Sequence, residues 1–271
     1  LKRVGILYHP KIAAARAFAE ELADFLPSLN AVVWLCSAWD EESAGAQIES
    51  TELVLSIGGD GTILRAARAV APKSIPIVGI NLGRLGFMTE LSVEQARDGL
   101  TALLAGEGWV DERAMLQAKL PGKRTYHALN DIVIGRGAIS RVIYVETTID
   151  GAPLTTYKAD GVILATATGS TGHSLAAGGP ILYPQSREIL LNPISPHLTF
   201  ANALVLPPTA IVELKVHTDH QAMLSIDGQI NLPLESGDTV KVNLSPHVAR
   251  FLRVQPRGFY YTVLMERLVP K

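Results

Sequence analysis

The 271-residue chain has a single cysteine, Cys36. One thiol rules out an internal disulfide and a cysteine-held metal cluster. Cys36 lies in "AVVWLC" and reads as a buried strand residue. The seven histidines show no metal-ligand spacing: His217 and His220 are three apart, with no third ligand evident. No resident metal is expected. Neither sign of charge dominates, with 24 Lys and Arg against 26 Asp and Glu. The basic footprint of a nucleic-acid or membrane-surface binder is therefore missing, and any anionic ligand must be held by local groups. No stretch approaches the roughly 20 apolar residues of a membrane helix. The opening "LKRVGILYHP" is interrupted too soon for a secretory leader. The expectation is a soluble, cytoplasmic protein. Two phosphate fingerprints are also missing, G-x-x-x-x-G-K-[ST] and G-x-G-x-x-G, as is the hydrolase elbow G-x-S-x-G.

Apolar residues make up 48% of the chain and charged residues 18%, enough apolar material for a sizeable core. At about 150 residues per domain, the length suggests about two domains. The first part alternates apolar runs with helical patterns. "VGILY" (4–8), "AVVWLC" (31–36), "LVLSIG" (53–58) and "IPIVGIN" (75–81) read as buried strands. Ile12, Ala15, Phe18, Leu22 and Phe25 recur at helical spacing, and Pro27 ends that helix. Residues 62–70 and 93–105 repeat the helical signal, the latter with Ser92 and Gln95 spaced as a capping box. This alternation predicts an α/β domain with a parallel sheet.

Near Trp109 the helical period fades. "VIYVETTID" (142–150), "AIVELKVH" (210–217) and "TVKVNL" (239–244) alternate apolar and polar residues, as half-buried antiparallel strands do. A β-rich second domain is expected. The boundaries read as 1–108 for the α/β domain and 109–249 for the β-rich domain. The tail from about 250 to 271, including the apolar "YYTVLMERL" (260–268), needs a docking site.

The chemistry concentrates in glycine-rich stretches. "SIGGDGT" places Gly58, Gly59, Asp60 and Gly61 at a strand-to-helix turn, where glycine lets a phosphate approach backbone and helix N–H groups. An aspartate there repels phosphate unless a metal intervenes or the carboxylate has another task. That task could be to accept or orient the proton of an attacking hydroxyl, as the catalytic aspartate of protein kinases does. The other reading is a tight turn with Asp60 capping the helix. "NLGRLGF" (81–87) is a second glycine loop after a strand, in which Arg84 could meet a phosphate. Two such loops at neighbouring strand ends would open toward one crevice. "YKADGVILATATGSTGHSLAAGGP" (157–180) reads as a long ligand-facing loop with hydroxyl and backbone donors. Asn130 and Asp131, and likewise Asp227 and Gln229, stand beside apolar runs and read as turns or strand ends.

Taken in order, "GGDGT", "NLGRLGF", the Asn-acidic pair, "DG…TGSTGHSLAAGGP" and "DGQ" resemble the NAD kinase family over most of the chain. GGDGT is shared with a broader kinase superfamily that includes lipid kinases; the later glycine-rich block makes the match specific. The resemblance implies an N-terminal α/β domain, a β-rich C-terminal domain with the ligand between them, a tail that returns to the N-terminal domain, and a homo-oligomer (dimer or tetramer). It implies NAD and ATP as substrates, with Mg²⁺ arriving with the nucleotide. Asp60 matches the proton acceptor, beside the ligand-facing glycines Gly58, Gly59 and Gly61. Asn130 and Asp131 match the pair that holds the adenosine. Arg141, Lys158 and Asp160 match NAD contacts, and Thr171, Gly172, His173, Ser174, Leu175 and Ala176 match the loop that wraps the dinucleotide. Gln229 matches a further contact. The chain departs from the family at His173 (commonly Tyr), Ala176 (commonly Ser), Ala167 (often Pro) and "FANALVL" (200–206), which lacks an Arg-Pro. These changes bear on base stacking and on NAD against NADH preference. A lipid kinase would share GGDGT but would need an apolar acceptor pocket. A non-catalytic dinucleotide sensor would keep Asn130 and Asp160 without needing Asp60.

Overall fold

The computed structural model describes residues 2–83, 86–137, 141–198 and 200–268. Arg84, a candidate phosphate contact, lies outside the described residues. The chain divides into two compact units: Leu1–Glu112 together with Ala249–Lys271, and Arg113–Val248.

The first unit is built as strand–helix repeats: β1 (Lys2–Tyr8), α1 (Ala13–Phe25), β2 (Ala31–Ser37), α2 (Glu41–Ile48), β3 (Leu53–Ile57), α3 (Asp60–Val70), β4 (Pro76–Asn81), a two-residue β5 (Leu91–Ser92) and α4 (Ala96–Leu104). The strands run parallel in the order β2-β1-β3-β4. β3 is buried along its whole length, as a strand covered by helices on both faces must be. Ala15, Phe18 and Leu22 of α1 pack with Val4, Ile6, Leu55 and Ile57 of the sheet. The expected buried strand 31–36 is instead an edge strand: Val32 is exposed, and Cys36 is half-buried. Burial still pushes the Cys36 thiol up to about 11, with Asp40 adding to it. α2 gave no periodic signal. It is short and carries Gly45, and Asp40 caps it by accepting the Ser43 N–H at 3.0 Å. α1 gives way to a 3₁₀ turn, Leu26–Leu29, that contains Pro27. The capping box forms, with Ser92 N–H on Gln95 Oε1 at 3.1 Å and Gln95 N–H on Ser92 Oγ at 3.4 Å, although regular helix begins only at Ala96.

The remaining elements are β6 (Trp109–Lys119), β7 (Tyr126–Ala128), β8 (Asp131–Arg136), β9 (Ile143–Ile149), β10 (Ala152–Ala159), β11 (Gly161–Ala165), a one-turn α5 (His173–Ala176), β12 (Ile189–Ile194), β13 (Leu204–Leu206), β14 (Val212–His217), β15 (Ala222–Ile226), β16 (Ile230–Leu234), β17 (Thr239–Arg253) and α6 (Phe259–Leu268). β6 and β17 each continue from one unit into the other. Within the second unit the pairs β10–β9, β9–β14, β14–β17, β6–β7 and those of the sheet around β8 and β11 are antiparallel. One sheet runs β13-β12-β11-β8-β15-β16, and the other includes β10-β9-β14-β17. Their inner faces share one core, with Ile132, Val162, Leu164 and Leu224 against Val145, Tyr157, Val212, Leu214 and Val240. Val212, Leu214 and Val216 point inward while Lys215 is exposed, as the alternation predicts. The outer face of the first sheet (Val133, Ile163, Leu190) is covered by Ala177 and Leu182 of the segment after α5.

That packing corrects the reading of 157–180 as one loop. Gly161–Ala165 is a wholly buried central strand, flanked by β8 and β12, and only the part after it is irregular. The apolar tail forms α6, which belongs to the first unit and buries Val263, while Tyr261 and Met265 stay exposed. No helix among the described residues is long and apolar enough to cross a membrane.

Candidate active site

In the first unit β3 ends at Ile57, and Gly58 turns the chain with φ +150°. A Cβ at Gly58 would strike Thr62 Oγ1, so both the conformation and the space demand glycine. Gly59, in extended conformation, is the helix cap, and its carbonyl accepts the Thr62 N–H at 2.9 Å. The helix therefore starts at Asp60, two residues earlier than the pattern predicts, and Asp60 is its first residue and not its cap. Its carboxylate turns to the second glycine loop. Oδ2 accepts the Phe87 N–H at 3.1 Å, and Oδ1 accepts the Met88 N–H at 3.2 Å. Gly86 passes so close that a Cβ there would overlap Asp60 Oδ1. The Gly86 N–H in turn donates to Thr89 Oγ1 at 2.6 Å. The two glycine motifs thus form one constellation around a single carboxylate. An ionised carboxylate has about four lone-pair sites, so two remain for a hydroxyl.

In the second unit the organising residue is Asp227, which lies in the β15–β16 turn as its sequence suggests. Asp227 sits at φ +52° and is buried. It accepts three successive backbone N–H groups, from Leu129 at 3.0 Å, Asn130 at 2.7 Å and Asp131 at 3.2 Å. This fixes Asn130 and Asp131 at the start of β8. Gln229 lies two residues on in the same turn, its N–H on the Ile226 carbonyl at 2.9 Å. The glycine-rich segment docks on the same spot. The Asn130 carbonyl accepts the Thr166 N–H at 2.9 Å, and Thr166 Oγ1 donates to the Leu129 carbonyl at 2.6 Å. Gly169 packs so tightly that a Cβ would overlap the Asn130 carbonyl. Gly169→Ala should therefore destabilise the second unit by about 1–3 kcal/mol, read as a lower unfolding midpoint; an unchanged midpoint would contradict this packing.

Past Gly169 the chain forms a 3₁₀ turn and then α5. Ser170 is fully buried: its hydroxyl donates to the Ala167 carbonyl at 2.6 Å and accepts the Leu182 N–H at 3.0 Å. Ser174 is also fully buried, its carbonyl accepting from Asn192 Nδ2 at 3.0 Å. Gly172, His173 and Ala176 are exposed, while Thr171 and Leu175 are half-buried. The two serines anchor the segment, and its exposed surface comes from the residues between and beside them.

Arg141, Lys158 and Asp160 are not brought to that spot. β8 and β11 pair with Asp131 opposite Ala165 and Gly135 opposite Gly161. Asp160, just before Gly161 and level with Arg136, is therefore at the other end of the ladder, five residue steps or roughly 17 Å away. There it pairs with Arg136 at 3.3 Å. Lys158 lies 6.0 Å above the Tyr144 ring, and Arg141 meets His220 at 3.0 Å.

Burial, reinforced by the neighbouring Asp227, pushes Asp131 up to about 7. In an unfolded chain an aspartate titrates near 4. Between those values the folded protein holds a proton that the unfolded chain has released. The stability tied to that proton is complete below about pH 4 and is lost as pH rises through 7. Asp131→Asn should flatten this fall, which one-site linkage limits to about 4 kcal/mol. Unfolding midpoints from pH 4 to 8 that fall equally in both proteins would contradict the assignment.

Comparison with known proteins agrees with the arrangement of the motifs. The ATP-NAD kinase N-terminal domain matches residues 20–108, and the ATP-NAD kinase C-terminal domain matches residues 129–254. The chain belongs to the NAD kinase family. It is 49% identical to an NAD kinase of Dehalococcoides mccartyi over 272 aligned residues, covering 98% of this chain and 96% of the relative. With an NAD kinase of Chloroflexus aurantiacus the identity is 42%, covering 99% of both. Among solved structures, yeast NADH kinase complexed with NADH superposes with a TM-score of 0.86 at 26% identity, covering 99% of this chain and 87% of that one. An NAD kinase from Archaeoglobus fulgidus in complex with ATP gives 0.80 at 26% identity, covering 97% and 98%. The family's activity is ATP-dependent phosphoryl transfer, so a kinase reading applies to the whole chain. Among the described residues, no group of three or more His, Cys, Asp or Glu side chains is arranged to hold a metal ion.

Proposed function

We propose that the protein transfers the γ-phosphate of ATP to the 2′-hydroxyl of the adenosine ribose of NAD, giving NADP. The observation that carries this is the Asp60 carboxylate, fixed through both oxygens by Phe87 and Met88 and not engaged in capping its helix. A carboxylate so held can accept the hydrogen bond of the attacking hydroxyl and take its proton as the O–P bond forms. Gly58, Gly59 and Gly61 let the nucleotide phosphates approach the start of α3, whose dipole favours negative charge. Asn130 and Asp131, aligned by Asp227, hold the adenosine; the exposed face of Thr171–Ala176 and Gln229 wrap the dinucleotide. Lys158, Asp160 and Arg141 supply polar contacts from the far end of the β8–β11 ladder. Phosphoryl transfer then depends on positioning and charge neutralisation.

The divalent cation belongs to the substrate, MgATP. Turnover should vanish in EDTA and return with added Mg²⁺; stoichiometric zinc or iron in active, dialysed protein would contradict this. We also propose a homo-oligomer, dimer or tetramer, in the cytoplasm. Ile181, Tyr183, Phe200 and Val205 expose apolar surface on the second unit, and an active monomer by light scattering would count against assembly. The lipid-kinase alternative needs an apolar acceptor pocket, whereas the groups beside Asn130 include the Asp131 and Asp227 carboxylates and the Thr166 hydroxyl. The deciding assay offers NAD and diacylglycerol side by side with MgATP. Phosphorylation of the lipid alone would overturn the proposal, and ligand binding without any ATP turnover would favour a sensor.

A further inference from the structure

Behind the loop that grips Asp60 lies a buried ionic group that no motif flagged. Arg253, at the end of β17, is 7% exposed at its side chain, Glu90 3% and Asp111 2%. Arg253 Nη1 pairs with Glu90 Oε2 at 3.1 Å, and Nε pairs with Asp111 Oδ2 at 3.2 Å. The same Nη1 donates to the Met88 carbonyl at 3.0 Å. Glu90 uses its other oxygen to accept the N–H groups of Val254 at 2.8 Å and Gln255 at 2.7 Å. Its own N–H donates to the Gly79 carbonyl at 2.8 Å.

Met88 is thus held on both sides: its N–H is on Asp60 Oδ1 and its carbonyl is on Arg253. Well-packed apolar side chains would stabilise a core about as well as this group, because desolvation offsets most of the attraction in a buried ion pair. What apolar side chains cannot supply is directional hold on one carbonyl and one loop. We infer that Arg253, with Glu90 and Asp111, is a positioning group that sets the Phe87 and Met88 N–H donors and through them the Asp60 carboxylate. The inference rests on the role given to Asp60 above.

Arg253→Lys keeps the charge but loses the planar fork that meets Glu90, Asp111 and Met88 together. Glu90→Gln keeps an acceptor for Val254 and Gln255 and replaces the ion pair with an amide. In each, kcat should fall roughly 10- to 100-fold, the scale of a small misplacement at the reacting group. The KM for NAD should stay near wild type, since the residues proposed to hold NAD are on other elements. Exchange of the Phe87 and Met88 amide hydrogens should quicken. In an Asp60→Asn background neither change should lower kcat further, because the group acts through that carboxylate. Multiplying losses in the double variants, or wild-type protection of both amides in a slowed variant, would overturn the inference. So would failure of both variants to fold, since the group would then be structural alone. A wild-type protein that made no NADP would instead sink the proposed function, leaving the amide exchange to decide the positioning claim.

Discussion

Asp60→Asn is expected to fold and to turn over roughly 10²–10⁴-fold more slowly, the usual scale for loss of a general base. The geometry makes this a sharper test than the sequence alone allowed. A helix-capping aspartate would tolerate asparagine, but Asp60 does not cap α3; Gly59 does. In the variant one amide end still accepts from Phe87 or Met88, while its NH₂ faces the other donor. The loss of one such bond costs about 1 kcal/mol, so a modest fall in melting temperature is part of the expected result. NAD affinity should change far less than kcat, since the neutral side chain keeps an acceptor oxygen. ATP affinity should hold or improve, since a charge near phosphate is gone. A folded variant with near wild-type kcat would leave the carboxylate without its role.

Gly86→Ala is expected to give the second large effect, through the same carboxylate from the opposite side. The added methyl would clash with Asp60 Oδ1 and crowd the rest of the carboxylate. Either the carboxylate swings away from Phe87 and Met88 or the loop withdraws; both displace the group that meets the hydroxyl. A shift of about 1 Å at such a position costs on the order of 10²-fold in rate, and overpacking should cost about 1–3 kcal/mol of stability. Steady-state kinetics should show the loss in kcat, with NAD binding by titration little changed. Wild-type kcat in Gly86→Ala would mean that the contact between the two glycine loops has no catalytic meaning.

Local periodicity was enough to read β1, β3, β4, α1 and the alternating strand β14, because burial on one or both faces leaves its period in the chain. α2 escaped because a short helix with a central glycine carries little period. β11 escaped because "GVILA" was averaged with the glycines and threonines after it. Beyond Leu244, β17 was hidden by Ser245, Pro246 and His247, which break the alternation although the strand runs on to Arg253. At the site, glycine-rich motifs marked where the chemistry sits. They could not reveal what holds it. Asp60 finds its partners 27 and 28 residues downstream, and Arg253 reaches Glu90 across 163. Asp227 is the turn residue that its sequence suggests, but its acceptor role left no local sign, because its three bonds reach back nearly 100 residues. Strand register, which no motif encodes, separates Asp160 from Asp131 along the β8–β11 ladder.

The most direct test of the account is a single incubation of the purified protein with NAD and MgATP. NADP is read by an NADP-specific dehydrogenase, ADP by a coupled assay, and the phosphate position by ³¹P NMR. The account predicts NADP and ADP in equal amounts, with the phosphate on the 2′-oxygen of the adenosine ribose. ADP released without NADP, or phosphate placed on any other oxygen, would contradict it.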